Sequence, residues 1–234
     1  MKDHLQVIGF DADDTLWLNE SYYQETGQKF YQLLSPYLSC EEAEKELFKT
    51  EMDNMELYGY GAKAYILSII ETALRVTENR VGANIISEII TLCKELLNKP
   101  VVLLDGIADI LEQLSHSDYR VIMVTKGDLL DQERKLNKSN IAQYFHHIEI
   151  VSDKKESDYI KLLERLSITP EHFLMVGNSL KSDVLPVINI GGYGVHIPHE
   201  MTWAHEKTEM EERPDRFWKI EHISELRSIL QLNK

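Results

Sequence analysis

Cysteine is scarce in this chain, with two among 234 residues. Cys40 and Cys93 sit far apart in segments of helical pattern, which suggests neither a disulfide framework nor a cysteine metal cluster. Cys93 falls on an apolar stripe and is expected to be a buried thiol. Long hydrophobic runs are also missing, and none approaches the roughly 20 residues that span a bilayer as a helix. The first residues carry Asp3 and reach a strand at once, unlike a signal peptide, so a cytoplasmic location is expected. Basic charge is short: 25 Lys and Arg face 39 Asp and Glu, a formal net charge of −14. That balance argues against nucleic acid or an anionic membrane as partner. It leaves room for a small anionic substrate, because a local cation site can override the global field. Repeats, low-complexity tracts and linkers are absent. Hydrophobic residues at 43% and charged residues at 27% are ordinary globular values.

What is present is organised around Val7-Ile8-Gly9-Phe10-Asp11-Ala12-Asp13-Asp14-Thr15-Leu16. An apolar run with the character of a buried strand ends in three carboxylates and a hydroxyl. Acidic side chains are rarely buried unless they are paired or bind a cation. Beyond Leu16 the pattern turns helical as far as about Leu97. Ile66, Ile69, Ile70, Ala73 and Leu74 form one amphipathic stripe, and Ile85, Ile86, Ile89, Ile90, Cys93, Leu96 and Leu97 another. Segments near 21–34 and 41–56 read as two further helices, with a glycine-bearing break at Tyr58–Gly61. From Val101 strands and helices alternate, with strands at 120–125, 147–151, 173–177 and 194–197. Alternation of this kind predicts an α/β fold, a Rossmann-like parallel sheet with helices on both faces. The predicted catalytic core is 1–15 plus 100–234, and an all-α cap domain is inserted at 16–99. Ser182 is expected to cap a short helix with Pro186 in its first turn.

In open parallel sheets, ligands gather beyond the carboxyl ends of the strands. Those ends carry Asp11 and Asp13, then Thr125-Lys126-Gly127-Asp128, then Asp153-Lys154-Lys155, and finally Gly177-Asn178-Ser179-Leu180-Lys181-Ser182-Asp183. One crevice would hold several carboxylates, a hydroxyl and at least one lysine. In order and position, these segments resemble the four motifs of the haloacid dehalogenase-like hydrolase superfamily. The resemblance covers the whole chain, since a helical cap between the first and second motifs is a known layout of that family.

The resemblance implies a phosphatase acting on a small phosphorylated metabolite, as a monomer or weak homodimer. Asp11 looks like the nucleophile that forms an aspartyl-phosphate, and Asp13 like the general acid and base. Mg²⁺ is the implied cofactor, held by Asp11, Asp183 and the backbone carbonyl of Asp13. Thr125, Lys126 and Lys154 are the implied phosphate-binding residues. Asn178 stands where an aspartate is commoner and would support the metal site without a charge. Lys154 is favoured over Lys155 because it lies closer to the strand end.

Other residues have plainer readings. Asp14 is expected to be a helix cap or surface charge, and Thr15 a structural hydroxyl. Lys126 and Asp128 are read evenly as site residues or as caps of the following helix. His146 and His147 are expected on opposite strand faces, not as a zinc pair. The Trp203–Glu206 loop is expected to be solvated, and Tyr22, Tyr23, Tyr58, Tyr60 and Lys63 to pack the cap or line a cleft. Among rival activities, a 2-haloacid dehalogenase needs neither the metal nor the second acid, so Asp13 and Asp183 argue against it. A phosphoglucomutase-like transferase lacks a marked sugar-phosphate site. A non-enzymatic receiver-like phosphoacceptor would carry its aspartate after a middle strand in the chain order, not the first.

Overall fold

The structure is a computed structural model that describes residues 4–206, 208 and 215–232; Asp3 lies outside them. The described residues form six parallel strands: β1 (Val7–Phe10), β2 (Arg120–Lys126), β3 (His147–Val151), β4 (Phe173–Gly177), β5 (Tyr193–His196) and β6 (Phe217–Lys219). Their helices are α1 (Glu20–Leu33), α2 (Cys40–Tyr58), α3 (Ala62–Val76), α4 (Ala83–Leu97), α5 (Ile107–Ser115), α6 (Leu129–Ser139), α7 (Glu156–Leu166), α8 (Leu185–Asn189) and α9 (Leu226–Leu230). The strands lie in the order β3-β2-β1-β4-β5-β6. The chain therefore builds outward from β1 through β2 to β3, then crosses back to β4 on the other side of β1. That reversal makes the carboxyl end of β1 a topological switch point, where α/β sheets open a crevice.

Both faces of the sheet are buried, as the near-continuous apolar strands require. Side chains alternate between them. Ile8, Phe10, Val121, Met123, Leu174 and Val176 pack on one face with Ile107, Ile110, Leu111 and Leu226. Val7, Ile122, Val124, Phe173 and Met175 pack on the other with Tyr159, Leu162 and Leu163. Gly9 faces the second cluster, where Phe173 crosses its position.

Contacts divide the chain into two compact units. One comprises the segments up to Glu20, Val101–Lys126 and Gln132 onward; the other comprises Ser21–Pro100 and Gly127–Asp131. The edges differ from the expected 16–99 insert for physical reasons. Trp17 is fully buried and bridges to Leu103, Leu18 N–H donates to Val102 O, and Leu104 N–H to Leu16 O. Those bonds tie 16–20 to the sheet-bearing unit. Conversely, Lys63 pairs with Asp128 at 3.0 Å, and a Cβ on Gly61 would lie 2.7 Å from the Asp128 nitrogen.

The helical unit has its own core of Phe30, Leu34, Leu47, Ile69, Ala73, Ile89 and Cys93. Ser39 opens α2 with a capping box: its hydroxyl accepts from Glu42 N–H, and Glu42 accepts from Ser39 N–H. Burial pushes the Cys93 thiol up to about 11, while Cys40 is exposed. Several tyrosines here have partners within the unit. Tyr58 donates to Glu71 at 2.6 Å, Lys99 stands 5.3 Å over Tyr22, and Tyr23 meets Tyr65 edge-on.

One local expectation is corrected. Ser179, not Ser182, caps the turn after β4: its hydroxyl accepts from Ser182 N–H, and a π-helical turn, Leu180–Val184, precedes α8. Pro186 lies in the first turn of α8.

The tight approach of Phe173 makes a prediction. A Cβ at position 9 would stand 2.7 Å from Phe173 Cζ, so Gly9→Ala should cost about 1–3 kcal/mol by overpacking. Urea unfolding of the variant checks this.

Candidate active site

Asp11 is the residue at which β1 runs out. Its N–H still donates to Val176 O at 2.9 Å, extending the β1–β4 ladder by one residue and fixing where the side chain emerges. Lys154 arrives from the segment after β3 and is 3% exposed; Asp183, after β4, is 1% exposed. The Lys154 ammonium bridges the two acids, hydrogen-bonding to Asp11 Oδ1 and, at 2.7 Å, to Asp183 Oδ1. The other oxygen of each acid is also occupied. Thr15 Oγ1 donates to Asp11 Oδ2 at 3.0 Å, and Ser179 N–H donates to Asp183 Oδ2 at 3.0 Å.

Thus two buried carboxylates share one ammonium. Burial raises the Asp11 carboxyl to about 7, with the Asp183 charge adding to the effect and Lys154 opposing it. For Lys154, burial works against the charge, but Asp11 and Asp183 outweigh it and raise the ammonium above its ordinary value. Lys155, by contrast, is exposed and pairs with Asp153 at 2.9 Å. Close approach at the end of β4 demands glycine, because a Cβ on Gly177 would lie 2.2 Å from Asp183 Oδ2.

Asp13 points to a different set of partners. Trp17 Nε1 and Lys135 Nζ donate to its Oδ1 at 2.7 and 2.9 Å, and Gln132 Nε2 donates to its Oδ2 at 2.9 Å. The same Gln132 amide reaches Thr125 Oγ1 at 2.9 Å and Lys126 O at 2.8 Å, linking Asp13 to the end of β2. The Thr125 side chain is buried. Trp17, Gln132 and Lys135 were not singled out by sequence reasoning. Gln132 and Lys135 are three residues apart on α6, a spacing that shares one helix face, but nothing local marks that face as pointing to Asp13.

Asp14 is a buried helix cap, which removes the surface-charge alternative. It sits at φ 58°, and its carboxylate accepts from the N–H groups of Asn19 and Glu20 at the start of α1. Burial lifts its carboxyl to about 6 despite those bonds. Thr15 is more than a turn hydroxyl, since it bonds Asp11 and also accepts from Asn178 N–H at 3.0 Å. Asn178 Oδ1 lies 3.3 Å from the same hydroxyl.

Lys126 is held by Ser182 Oγ at 2.8 Å and Glu206 Oε1 at 2.6 Å. Glu206 therefore does not behave as a solvated loop residue. His146 and His147 go separate ways, to the Val121 backbone and to Glu149. Asp128 caps the start of α6, accepting from Asp131 N–H.

Among the described residues, no group of three or more His, Cys, Asp or Glu side chains is arranged to hold a metal. Asp11 and Asp183 remain as two buried oxygen donors that carry more negative charge than Lys154 offsets. That is the donor set Mg²⁺ accepts, since it commonly takes one or two carboxylates and completes its octahedron with water and substrate phosphate. Asp13 would add its backbone carbonyl, its carboxylate being turned to Trp17, Gln132 and Lys135.

A haloacid dehalogenase-like family hydrolase from Xanthomonas campestris is 36% identical with a TM-score of 0.87, over 97% of this chain and 91% of that one. A glyceraldehyde 3-phosphate phosphatase of Methanothermobacter thermautotrophicus is 29% identical over 123 residues, 50% of this chain. That match spans only 54% of the relative's length. A protein of the same name from Methanopyrus kandleri is 23% identical over 82% of this chain and 84% of its own. The model of the family described as haloacid dehalogenase-like hydrolase matches residues 5–191, and the chain belongs to that family.

Proposed function

We propose that the protein is a Mg²⁺-dependent phosphatase that hydrolyses a small phosphomonoester through an aspartyl-phosphate on Asp11. The observation that carries this reading is the Lys154 ammonium bridging two buried carboxylates from different strands. Both methanogen relatives are named for a phosphatase acting on a triose phosphate, which points to small phosphorylated metabolites as the substrate class.

Each group then has a task. An Asp11 carboxylate oxygen attacks phosphorus, and the bond to the leaving oxygen breaks. Asp13 gives its proton to that oxygen. A water then attacks the phosphorus of the aspartyl-phosphate, Asp13 takes the water's proton, and the Asp11–phosphorus bond breaks to release inorganic phosphate. Lys154 orients Asp11 and offsets charge in the transition state, and Thr125 donates its hydroxyl to a phosphoryl oxygen. Bound at Asp11 and Asp183, Mg²⁺ would supply charge neutralisation between nucleophile and phosphate. The Lys126 side chain is engaged by Glu206, so its direct contribution to phosphate binding would come from its backbone N–H. A dehalogenase would use Asp11 on carbon, and the buried Asp183 and the three donors gathered on Asp13 would have no task.

Three measurements test the reading. Hydrolysis of an aryl phosphate should require added Mg²⁺ and stop with EDTA, and Asp11→Asn should lower kcat by at least about 10³-fold. Turnover that persists in EDTA or in Asp11→Asn overturns the mechanism. Gly177→Ala must displace Asp183, so kcat/KM should fall by roughly 10²-fold, with half-saturating Mg²⁺ raised; unchanged values would remove Asp183 from the cation site.

A further inference from the structure

The loop after β5 contains a short turn, Ala204–Glu206, that brings Glu206 onto the strand ends. Three donors from two other segments converge on its carboxylate. Lys126 Nζ reaches Oε1 at 2.6 Å, while Ser179 Oγ and Ser182 Oγ reach Oε2 at 2.5 and 2.6 Å. The Lys126 and Glu206 side chains are 12% and 14% exposed. An ion pair this shielded is weakly screened by water, unlike a surface pair. Burial works against the Glu206 charge, yet Lys126 and the serine hydroxyls hold its carboxyl down at about 2. It is therefore ionised throughout the neutral range.

The serines connect this carboxylate to Asp183. Ser179 donates its hydroxyl to Glu206 and its N–H to Asp183 Oδ2. Ser182 donates its hydroxyl to Glu206, accepts from Lys126, and directly precedes Asp183. Glu206 thus grips both ends of the turn that presents Asp183, and it balances an ammonium standing beside that turn. Asp153 also faces Lys126, whose charge helps to lower the Asp153 carboxyl. The next lysine, Lys181, is turned onto His205, donating to its carbonyl at 2.9 Å.

We propose that Glu206 is a positioning residue for the cation site, gripping the Ser179–Ser182 turn and offsetting the Lys126 charge so that Asp183 can receive Mg²⁺. This rests on the magnesium-dependent reading above. Deleting the Glu206 charge leaves the Lys126 ammonium with less negative charge around it, bonded to Ser182, the residue directly before Asp183. Like charges in a poorly solvated site repel strongly enough to change an affinity by about tenfold.

Calorimetric titration of Mg²⁺ into the full chain without substrate tests this, and thermal melts of each variant report the fold. Glu206→Gln should weaken Mg²⁺ binding by about tenfold, and adding Lys126→Met in the same chain should restore it to within about threefold. Lys126→Met alone should tighten binding, which keeps the inference testable if Glu206→Gln does not fold. A purely structural anchor would lower Tm and leave Mg²⁺ affinity unchanged; that result, or a double variant no better than Glu206→Gln, overturns the proposal. Failure of the unaltered protein to bind Mg²⁺ overturns the metal reading itself, and is distinguishable because it needs no variant.

Discussion

Everything at the strand ends depends on one electrostatic constraint, the burial of Asp11 and Asp183 beside each other with Lys154 between them. An isolated carboxylate taken out of water is strongly disfavoured, and two of them repel as well. One ammonium placed between them makes the arrangement tolerable. Removing either kind of partner from such a buried set typically costs about 3–5 kcal/mol, because a charge is stranded. The three residues lie far apart in sequence, at positions 11, 154 and 183. They meet only because β1 is flanked by β2 and β4, with β3 beside β2. The reversal of strand order at β1 is thus what allows the charge cluster to exist.

Around the triad lies a set of contacts whose common effect is to fix side chains that would otherwise rotate. Thr15 holds the second Asp11 oxygen, Ser179 N–H the second Asp183 oxygen, and Trp17, Gln132 and Lys135 share Asp13. Gly177 contributes by lacking a side chain, since any Cβ there would occupy the place of the Asp183 carboxylate. Positioning of this kind raises reaction rates because reacting groups need not be reorganised at the moment of bond formation.

The sheet and the triad were legible in the sequence because both leave local signatures. Strands such as Val121–Val124 and Phe173–Val176 are unbroken apolar runs, and the residues just past them are abruptly polar. Lys154 was favoured over Lys155 by its place relative to the strand end. Trp17, Gln132, Lys135 and Glu206 were not legible. Trp17 reads as core, and it is fully buried; only its indole N–H reveals the link to Asp13. Gln132 and Lys135 look like ordinary polar positions on α6, and their partner is more than a hundred residues away. Glu206 sits in a loop without periodicity, so no pattern predicts its descent onto Lys126. The edges of the helical unit were hidden for a similar reason. Trp17 and Leu18 belong with the sheet-bearing unit through bonds to Leu103 and Val102, which periodicity cannot register.

The same contacts bear on how a chain of net charge −14 would accept an anion. The lysines at the strand ends do not form a positive patch. Lys154 is shared by Asp11 and Asp183, Lys126 is paired with Glu206, and Lys135 with Asp13. Asp11 and Asp183 together face the single Lys154 ammonium, so that cluster carries a deficit of positive charge. A phosphoryl dianion entering such a site meets repulsion unless a further cation accompanies it. On the proposed reading that cation is Mg²⁺ at Asp11 and Asp183, and the paired lysines then serve to place carboxylates instead of attracting substrate. Specificity for the phosphoryl group would therefore arise from the filled cation site, and the surrounding ion pairs would keep that site from attracting anions without it.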